Sequence, residues 1–166
     1  MNFDKAFELI IGHEGGFTDD KRDPGNWTGG KVGVGTLKGT KYGIASNSYP
    51  SLDIKNITID QAKAIYKRDY WDRVKADLLP DDLRLHVFDM AVNGSISRAV
   101  KLLQKSVGVS EDGSLGPLTL SAVNKSNPFK LVLDYNANRI LFYTSLGTFS
   151  TYGKGWVNRV ARNMKL

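Results

Sequence analysis

A stretch rich in glycine and threonine, residues 17–48, limits what this chain can fold into. It shows little helical periodicity, and its short runs 31–34 and 42–45 are broken by glycines. Such a pattern favours a small β-hairpin or an irregular lobe. The stretch is too small to bury a core of its own, so it must lean on neighbouring elements. We therefore expect a small β-containing lobe near the N-terminus.

Helical signals lie on both sides of this stretch. Asn2 can cap a first helix over residues 3–13, in which Phe3, Phe7 and Ile10 follow helical spacing before Gly15-Gly16 ends it. Extending that apolar stripe by four residues reaches Glu14. Later helices are indicated by the capping-box pattern 58–61, the acidic pair 81–82, the run 97–107, the pairs Gly116-Pro117 and Asn127-Pro128, and a basic segment from about Trp156. The sequence predicts a mainly α chain forming a single domain, 1–166.

Composition narrows the class of protein. The chain has 166 residues and no cysteine, so a disulfide framework and a cysteine-based metal site are excluded. The net charge of +6 favours anionic partners. Basic residues are concentrated after Ser150, where no acid occurs: Lys154, Arg159, Arg162 and Lys165.

The first sixteen residues do not resemble a signal peptide, because Asp4, Glu8 and Glu14 interrupt the apolar pattern. No apolar run is long enough to span a membrane. We therefore expect synthesis in the cytoplasm.

Two motif-like segments are rejected. Residues 25–31 match the start of a phosphate-binding loop, but Val32 stands where serine or threonine should hold magnesium. His13-Glu14 matches part of a zinc-protease motif, but Phe17 stands where the second histidine should be. The remaining histidine, His86, is expected to pack or cap locally. We expect no cofactor and no metal.

Two carboxylates are candidates for a catalytic acid and a catalytic base. Glu14 continues the apolar stripe of the first helix, and an apolar setting keeps a carboxylic acid protonated. Asp23 precedes the turn pair Pro24-Gly25, which can fix its carboxylate in a polar loop. Such a pair suits glycoside hydrolysis. The alternatives are that Glu14 ends an exposed helix and that the loop acids, Asp19 and Asp20 above all, are merely solvated.

Three motifs in order, Glu14-Gly15-Gly16-Phe17, Asp23-Pro24-Gly25 and Thr40-Lys41-Tyr42-Gly43-Ile44, resemble the signature of phage endolysins and related bacterial muramidases. The resemblance implies a lysozyme-like fold with Glu14, Asp23 and Thr40 as a catalytic triad. The segment 26–39 looks longer than the corresponding connection of that family, so Thr28 and Thr36 remain rivals for the role of Thr40.

Downstream, Ala62-x-x-Ile65-Tyr66-x-x-x-Tyr70-Trp71 resembles the helix that lines the family's cleft. The pieces Asn93-Gly94, Leu103-Gln104, Gly108-Val109, Asp112-Gly113 and Gly116-Pro117-x-Thr119 resemble its peptidoglycan-binding half. The resemblance implies a catalytic part, 1–92, and a helical peptidoglycan-binding part, 93–166, in one globule.

Aromatic and amide side chains supply candidates for substrate binding. Tyr42, Tyr66 and Trp71, and Trp27 in its polar loop, can stack on sugar rings. Core packing is the alternative for Tyr66 and Trp71. Asn93 can hydrogen-bond a sugar amide or cap its helix.

The resemblance implies an enzyme that hydrolyses the β-1,4 bond between N-acetylmuramic acid and N-acetylglucosamine. Inversion is expected, with the carboxyls of Glu14 and Asp23 about 6.5–9.5 Å apart across a cleft. The alternatives are a lytic transglycosylase and a non-catalytic module that binds cell wall or nucleic acid. We expect peptidoglycan as partner, no nucleic acid, a monomer, and release to the periplasm through another factor. The basic C-terminal helix, with Trp156 and Val160, is a candidate for contact with the anionic outer membrane.

Overall fold

The computed structural model describes residues 1–12 and 16–166, which divide into two compact units. One unit comprises Met1–Ala6 and Arg68–Leu166, and the other Phe7–Lys67. Most of the described chain is helical and one small sheet is present, so the predicted mainly α architecture is confirmed. None of the described helices has the length and hydropathy to cross a membrane. The single-domain organisation remains a prediction.

The larger unit consists mainly of helices whose starts are set by local capping. Ser95 and Asn127 accept hydrogen bonds from the backbone N–H groups of Arg98 and Lys130 at 3.1 and 2.9 Å. Proline occupies the first position of two of these helices, where its missing N–H costs nothing. The helices are α3 (Asp81–Asn93), α4 (Ile96–Ser106), α5 (Pro117–Lys125), α6 (Pro128–Thr144) and α7 (Phe149–Asn163), which follow α1 (Phe3–Ile10) and α2 (Ile59–Tyr66) along the chain.

Helix α3 is the centre of the larger unit and carries a buried acid. Asp89 has no exposed surface and accepts hydrogen bonds from Arg139 of α6 at 2.6 Å and from Arg159 of α7 at 2.7 Å. Arg139 is equally buried and also contacts the hydroxyl of Tyr143. This cluster of Asp89, Arg139 and Arg159, the Asp89 triad, joins three helices by charge-assisted hydrogen bonds.

His86 lies one turn before Asp89 on α3 and is buried. Its Nδ1 is 3.2 Å from the amide nitrogen of Asn136, which also donates to the carbonyl of Val132. Burial lowers the pKa of His86 to about 4, and the charge of Arg139 acts in the same direction. The expectation that His86 serves local packing is confirmed.

Helix α7 begins earlier than the sequence indicated. It spans Phe149–Asn163, whereas the sequence suggested a start near Trp156. Gly153 lies within the helix, and a Cβ at this position would lie 2.5 Å from the ring of Phe149, so a larger residue would force that ring to move. Val160 of this helix is buried, and Trp156 stacks on Tyr143 with ring centroids 5.1 Å apart.

The smaller unit contains helix α2 and the C-terminal part of helix α1. Helix α1 (Phe3–Ile10) is capped by Asn2, as predicted, and crosses the boundary between the units. Helix α2 (Ile59–Tyr66) starts at the predicted capping box, with Thr58 and Gln61 exchanging hydrogen bonds at 3.2 and 2.9 Å. Phe7 meets Tyr66 edge to face at 5.5 Å, which joins the two helices through aromatic packing.

The sheet of the smaller unit is a hairpin of two strands with two residues each. Strands β1 (Thr40–Lys41) and β2 (Ile44–Ala45) are antiparallel, with Thr40 opposite Ala45. Tyr42 and Gly43 connect them with φ of 52° and 72°, the positive values that a type I′ turn needs. Residues 31–34 form turns and bends, which is the irregular one of the two forms expected for this segment.

Backbone pairing ties the rest of the segment to this hairpin. Thr18 and Thr40 exchange two backbone hydrogen bonds of 2.9 and 2.8 Å, and Trp27 pairs with Leu37. Gly39 allows this approach: its φ is 83°, and a Cβ would lie 2.5 Å from the Thr18 carbonyl oxygen.

The Asp89 triad generates a stability prediction. Asp89→Asn keeps the shape of the side chain but leaves the guanidinium of Arg139 buried without its counter-charge, which typically costs about 3–5 kcal/mol. Urea unfolding of the variant should show a loss in that range. The matched control is Asp134→Asn, which breaks the exposed i,i+4 pair with Lys130 and should cost less than about 1 kcal/mol. Equal small losses in the two variants would contradict the stabilising role of the triad.

Candidate active site

The segment that carries Glu14 begins beyond the end of α1. The helix ends at Ile10, and Gly12 has a φ of 58°, the left-handed conformation that commonly stops a helix. The predicted helix over residues 3–13 was therefore too long, and the extension of the apolar stripe to Glu14 stays a prediction. Glu14 itself lies outside the described residues, and its role as the acid stays a prediction.

Asp23 caps a short 3-10 turn over Pro24–Asn26, as its position before the Pro-Gly pair indicated. Its Oδ1 accepts a hydrogen bond of 2.8 Å from the backbone N–H of Gly25, while the carboxylate remains exposed. Gly25 is suited to this contact, because a Cβ there would come within 3.2 Å of the same oxygen. One carboxylate oxygen is thus held in place at the surface of the loop.

The neighbouring acids differ from Asp23 in their partners. The side chain of Arg22 forms an ion pair of 2.8 Å with Asp20, and this hydrogen-bonded guanidinium lowers the pKa of that carboxyl to about 2. Asp19 is exposed and lines a groove of about 440 Å³. The other residues of this groove are Phe17, Leu37, Lys38, Ser51, Leu52, Asp53, Ile54 and Lys55.

Thr40 is half-buried at the start of β1 and points its hydroxyl at a buried amide. Its Oγ1 donates to Oδ1 of Asn26 at 2.7 Å. Asn26 also bonds to the loop of Asp23, because its backbone N–H donates to the Asp23 carbonyl at 3.2 Å. Asp23 and Thr40 therefore both bond to Asn26, Asp23 through the main chain and Thr40 through the side chain, although the long glycine-rich segment separates them in sequence.

The rival threonines bond to each other instead. Thr28 Oγ1 accepts from the backbone N–H of Thr36 at 2.9 Å, and the N–H of Thr28 donates to the Thr36 carbonyl at 3.0 Å. Trp27, next to them, donates its indole N–H to the Lys21 carbonyl at 2.9 Å and so closes the loop that contains Asp23.

Asn26 was missed by the sequence analysis. It is fully buried, yet an asparagine after a Pro-Gly turn reads as an ordinary surface residue. Its burial depends on partners from the segments on both sides of the loop, and no local sequence pattern indicates these partners.

Besides Trp27, two of the candidate substrate-binding residues lie in the smaller unit with Asp23 and Thr40. Tyr42 is half-buried at the hairpin turn, and the hydroxyl of Tyr66 donates to its carbonyl oxygen at 3.1 Å. A Cβ on Gly43 would lie 2.5 Å from that hydroxyl, so the glycine permits the contact. Tyr66 is buried and supports the turn, whereas Tyr42 keeps part of its surface accessible.

The other two candidates, Trp71 and Asn93, belong to the larger unit. Trp71 is fully buried between Phe3 and Phe88, with ring centroids at 5.6 and 5.4 Å. Core packing, the alternative given for Trp71, accounts for this placement, and neither face of the ring is open to a sugar. Asn93 is exposed at the end of α3 and donates its amide to the Asp89 carbonyl at 2.8 Å.

Comparison with known proteins identifies the family. Residues 7–94 match the family model described as glycosyl hydrolase 108, and residues 98–161 match one described as a predicted peptidoglycan domain. The chain is also similar to the solved structure of SagA from Brucella abortus, at 36% identity over 97% of this chain and 90% of that chain, with a TM-score of 0.79. No curated protein matches the sequence.

These matches extend over nearly the whole chain. The structural similarity confirms the expected lysozyme-like fold, and the family matches confirm the resemblance that the Glu14, Asp23 and Thr40 motifs indicated. The chain therefore belongs to the glycosyl hydrolase 108 family and is an endolysin-type muramidase that hydrolyses peptidoglycan.

Proposed function

We propose that this muramidase inverts the anomeric carbon when it cleaves the bond between N-acetylmuramic acid and N-acetylglucosamine. Glu14 protonates the glycosidic oxygen, and Asp23 with Thr40 holds and activates the water that attacks from the opposite face of the sugar. The observation that carries the proposal is the convergence of Asp23 and Thr40 on Asn26.

The surroundings of Asp23 suit a base. One oxygen is held by the N–H of Gly25, and the exposed carboxylate can accept a proton from a water molecule. Asp20 is the less suitable neighbour, since the guanidinium of Arg22 occupies its carboxylate and a pKa of about 2 makes it a weak base.

Thr40 is favoured over its rivals by the same network. Its hydroxyl lies beside the Asp23 loop, whereas Thr28 and Thr36 are bonded to each other within the segment 28–36. In this proposal the Thr40 hydroxyl serves the water as a second partner besides the Asp23 carboxylate, and two partners fix its orientation.

The proposal is tested by Glu14→Gln and Asp23→Asn assayed on purified peptidoglycan. Loss of an essential acid or base should lower kcat by about 10²–10⁴. Asp20→Asn is the matched control, and it should retain nearly full activity because Asp20 is engaged by Arg22. Proton NMR of the fresh products should show inversion at the anomeric carbon.

Other outcomes separate the alternatives. An anhydro-sugar product, with activity retained by Asp23→Asn, would identify a lytic transglycosylase, which uses the sugar's own hydroxyl. Wall lysis that survives Glu14→Gln would reject catalysis by this residue. Retention of the anomeric configuration would overturn the water-activating role of Asp23.

We propose further that the protein reaches its substrate in the periplasm only after another factor releases it from the cytoplasm. The location of peptidoglycan supports this proposal. Expression in the cytoplasm alone should leave a culture intact, and addition of a membrane-permeabilising agent should lyse it. Lysis at the same rate without that agent would refute the requirement.

Contact of α7 with the anionic outer membrane is a second proposal, and it rests on charge. Val160 and Trp156 are engaged in packing, and Arg159 is bonded to Asp89, so insertion of an apolar helix face is disfavoured. The exposed cations that remain are Lys154, Arg162 and Lys165. Exposed cations attract anionic surfaces through a field that salt screens.

Replacement of Lys154, Arg162 and Lys165 by glutamine should therefore impair killing of intact Gram-negative cells, most clearly at low salt, and spare hydrolysis of bare peptidoglycan. The control changes the exposed Lys5, Lys105 and Lys125 to glutamine, which removes the same charge elsewhere. Equal loss in the two variants would show that only net charge matters, and unchanged killing would contradict the contact.

A further inference from the structure

We infer that Asn26 is a positioning residue for the hydrolytic water, acting through the hydroxyl proton of Thr40. The inference rests on the proposed roles of Asp23 and Thr40 and adds the group that sets the direction of their hydrogen bonds.

The side chain of Asn26 has one fixed orientation. Its amide nitrogen donates to the carbonyl of Asp20 at 3.0 Å, so its carbonyl oxygen must face the other way, toward Thr40. The residue is fully buried, which prevents water from replacing either partner.

The backbone of Asn26 is fixed as well. Its N–H donates to the Asp23 carbonyl at 3.2 Å, and its carbonyl accepts from the N–H groups of Lys38 and Gly39 at 3.0 and 3.1 Å. Asn26 therefore bonds the Asp23 loop to the strand that carries Thr40.

The chemistry of a hydroxyl makes this arrangement directional. A threonine hydroxyl has one proton to donate and two lone pairs that accept. Because Thr40 donates its proton to Asn26, its Oγ1 can only accept a hydrogen bond from the attacking water.

The water then has a single useful orientation. It donates one proton to Thr40 Oγ1 and the other to the carboxylate of Asp23, which leaves a lone pair of its oxygen free to attack the anomeric carbon. If Thr40 donated to the water instead, that bond would occupy one of the two lone pairs of the water oxygen and make this oxygen less nucleophilic. Asn26 is the group that selects the first arrangement.

The main chain of Thr40 is held on both sides, so rotation about its side-chain bonds is the freedom that remains. Two hydrogen bonds to Thr18 hold its main chain on one side, and the pairing of β1 with β2 holds it on the other. The bond to Asn26 removes the remaining rotation of the hydroxyl, so the acceptor is preorganised before substrate arrives.

A double-mutant cycle tests the inference. Asn26→Leu and Thr40→Val remove the two hydrogen-bonding groups with little change of volume. The double variant replaces a partly buried polar pair by an apolar one, which proteins tolerate well. Asn26→Leu should lower kcat on soluble peptidoglycan fragments by about 10- to 100-fold with KM nearly unchanged, because a misplaced reactant costs rate rather than binding.

If Asn26 had a purely structural role, the effect of Asn26→Leu on kcat would not depend on the residue at position 40. In the Thr40→Val background, Asn26→Leu should have no further effect on kcat. In the Thr40→Ser background, which keeps the hydroxyl, Asn26→Leu should again lower kcat. Thr28→Val is the matched control and should leave kcat unchanged, since its hydroxyl lies outside this network. Thermal unfolding of each variant sets an assay temperature at which all are folded.

Additive effects in the cycle would overturn the inference, because Asn26 would then act independently of Thr40. A rise in KM with kcat unchanged would overturn it as well. Full activity of Thr40→Val together with inactivity of Glu14→Gln would reject the water-positioning role but keep the acid. Full activity of Glu14→Gln would reject the proposed function, and the inference with it.

Discussion

A single buried carboxylate, Asp89, holds the larger unit together. Two guanidinium groups from different helices converge on it, and burying these charges is tolerable only because each group is bonded. The nearby His86 fits this environment as a neutral ring, since burial and the charge of Arg139 lower its pKa. Helix α3 belongs to the segment matched by the glycosyl hydrolase family, and α6 and α7 to the segment matched by the peptidoglycan domain. The two matched segments are therefore joined by a shared ionic core rather than by a linker.

The smaller unit relies on a different kind of stabilisation. Among the described residues between α1 and α2, few apolar side chains are buried, and polar side chains bind backbone carbonyls of neighbouring loops. Lys38 and Lys41 donate to the carbonyls of Pro50 and Lys55, and Trp27 donates to that of Lys21. Hydrogen bonds specify direction where apolar contacts specify only proximity. In a lobe built this way, hydrogen bonds as well as apolar packing can fix the direction of a carboxylate and a hydroxyl.

The features that could be predicted from the sequence are those that depend on residues close to one another in the chain. The capping box at Thr58 and the start at Asn127-Pro128 were correct because a helix start depends on residues within one turn. Helix α1 was predicted too long because the left-handed conformation of Gly12 was not anticipated, and the pattern at 31–34 could not decide between a hairpin strand and the turns that form there. For the site, Asp23 could be placed on a turn from Pro-Gly alone. The burial of Asn26 and Asp89 could not, because their partners come from distant segments.

The long connection between Asn26 and Thr40 has a consequence for how such enzymes diversify. Thr28 pairs with Thr36, Gly29 with Val34, and Trp27 with Leu37, so the segment closes on itself at its base. Its tip carries the exposed side chains of Val32 and Val34 and bears no bond to Thr40. The number of residues between Asn26 and Thr40 therefore does not determine the distance between them in the site. Evolution can lengthen or shorten this loop without moving the threonine, and a search that demands fixed distances between motifs will overlook relatives that have done so.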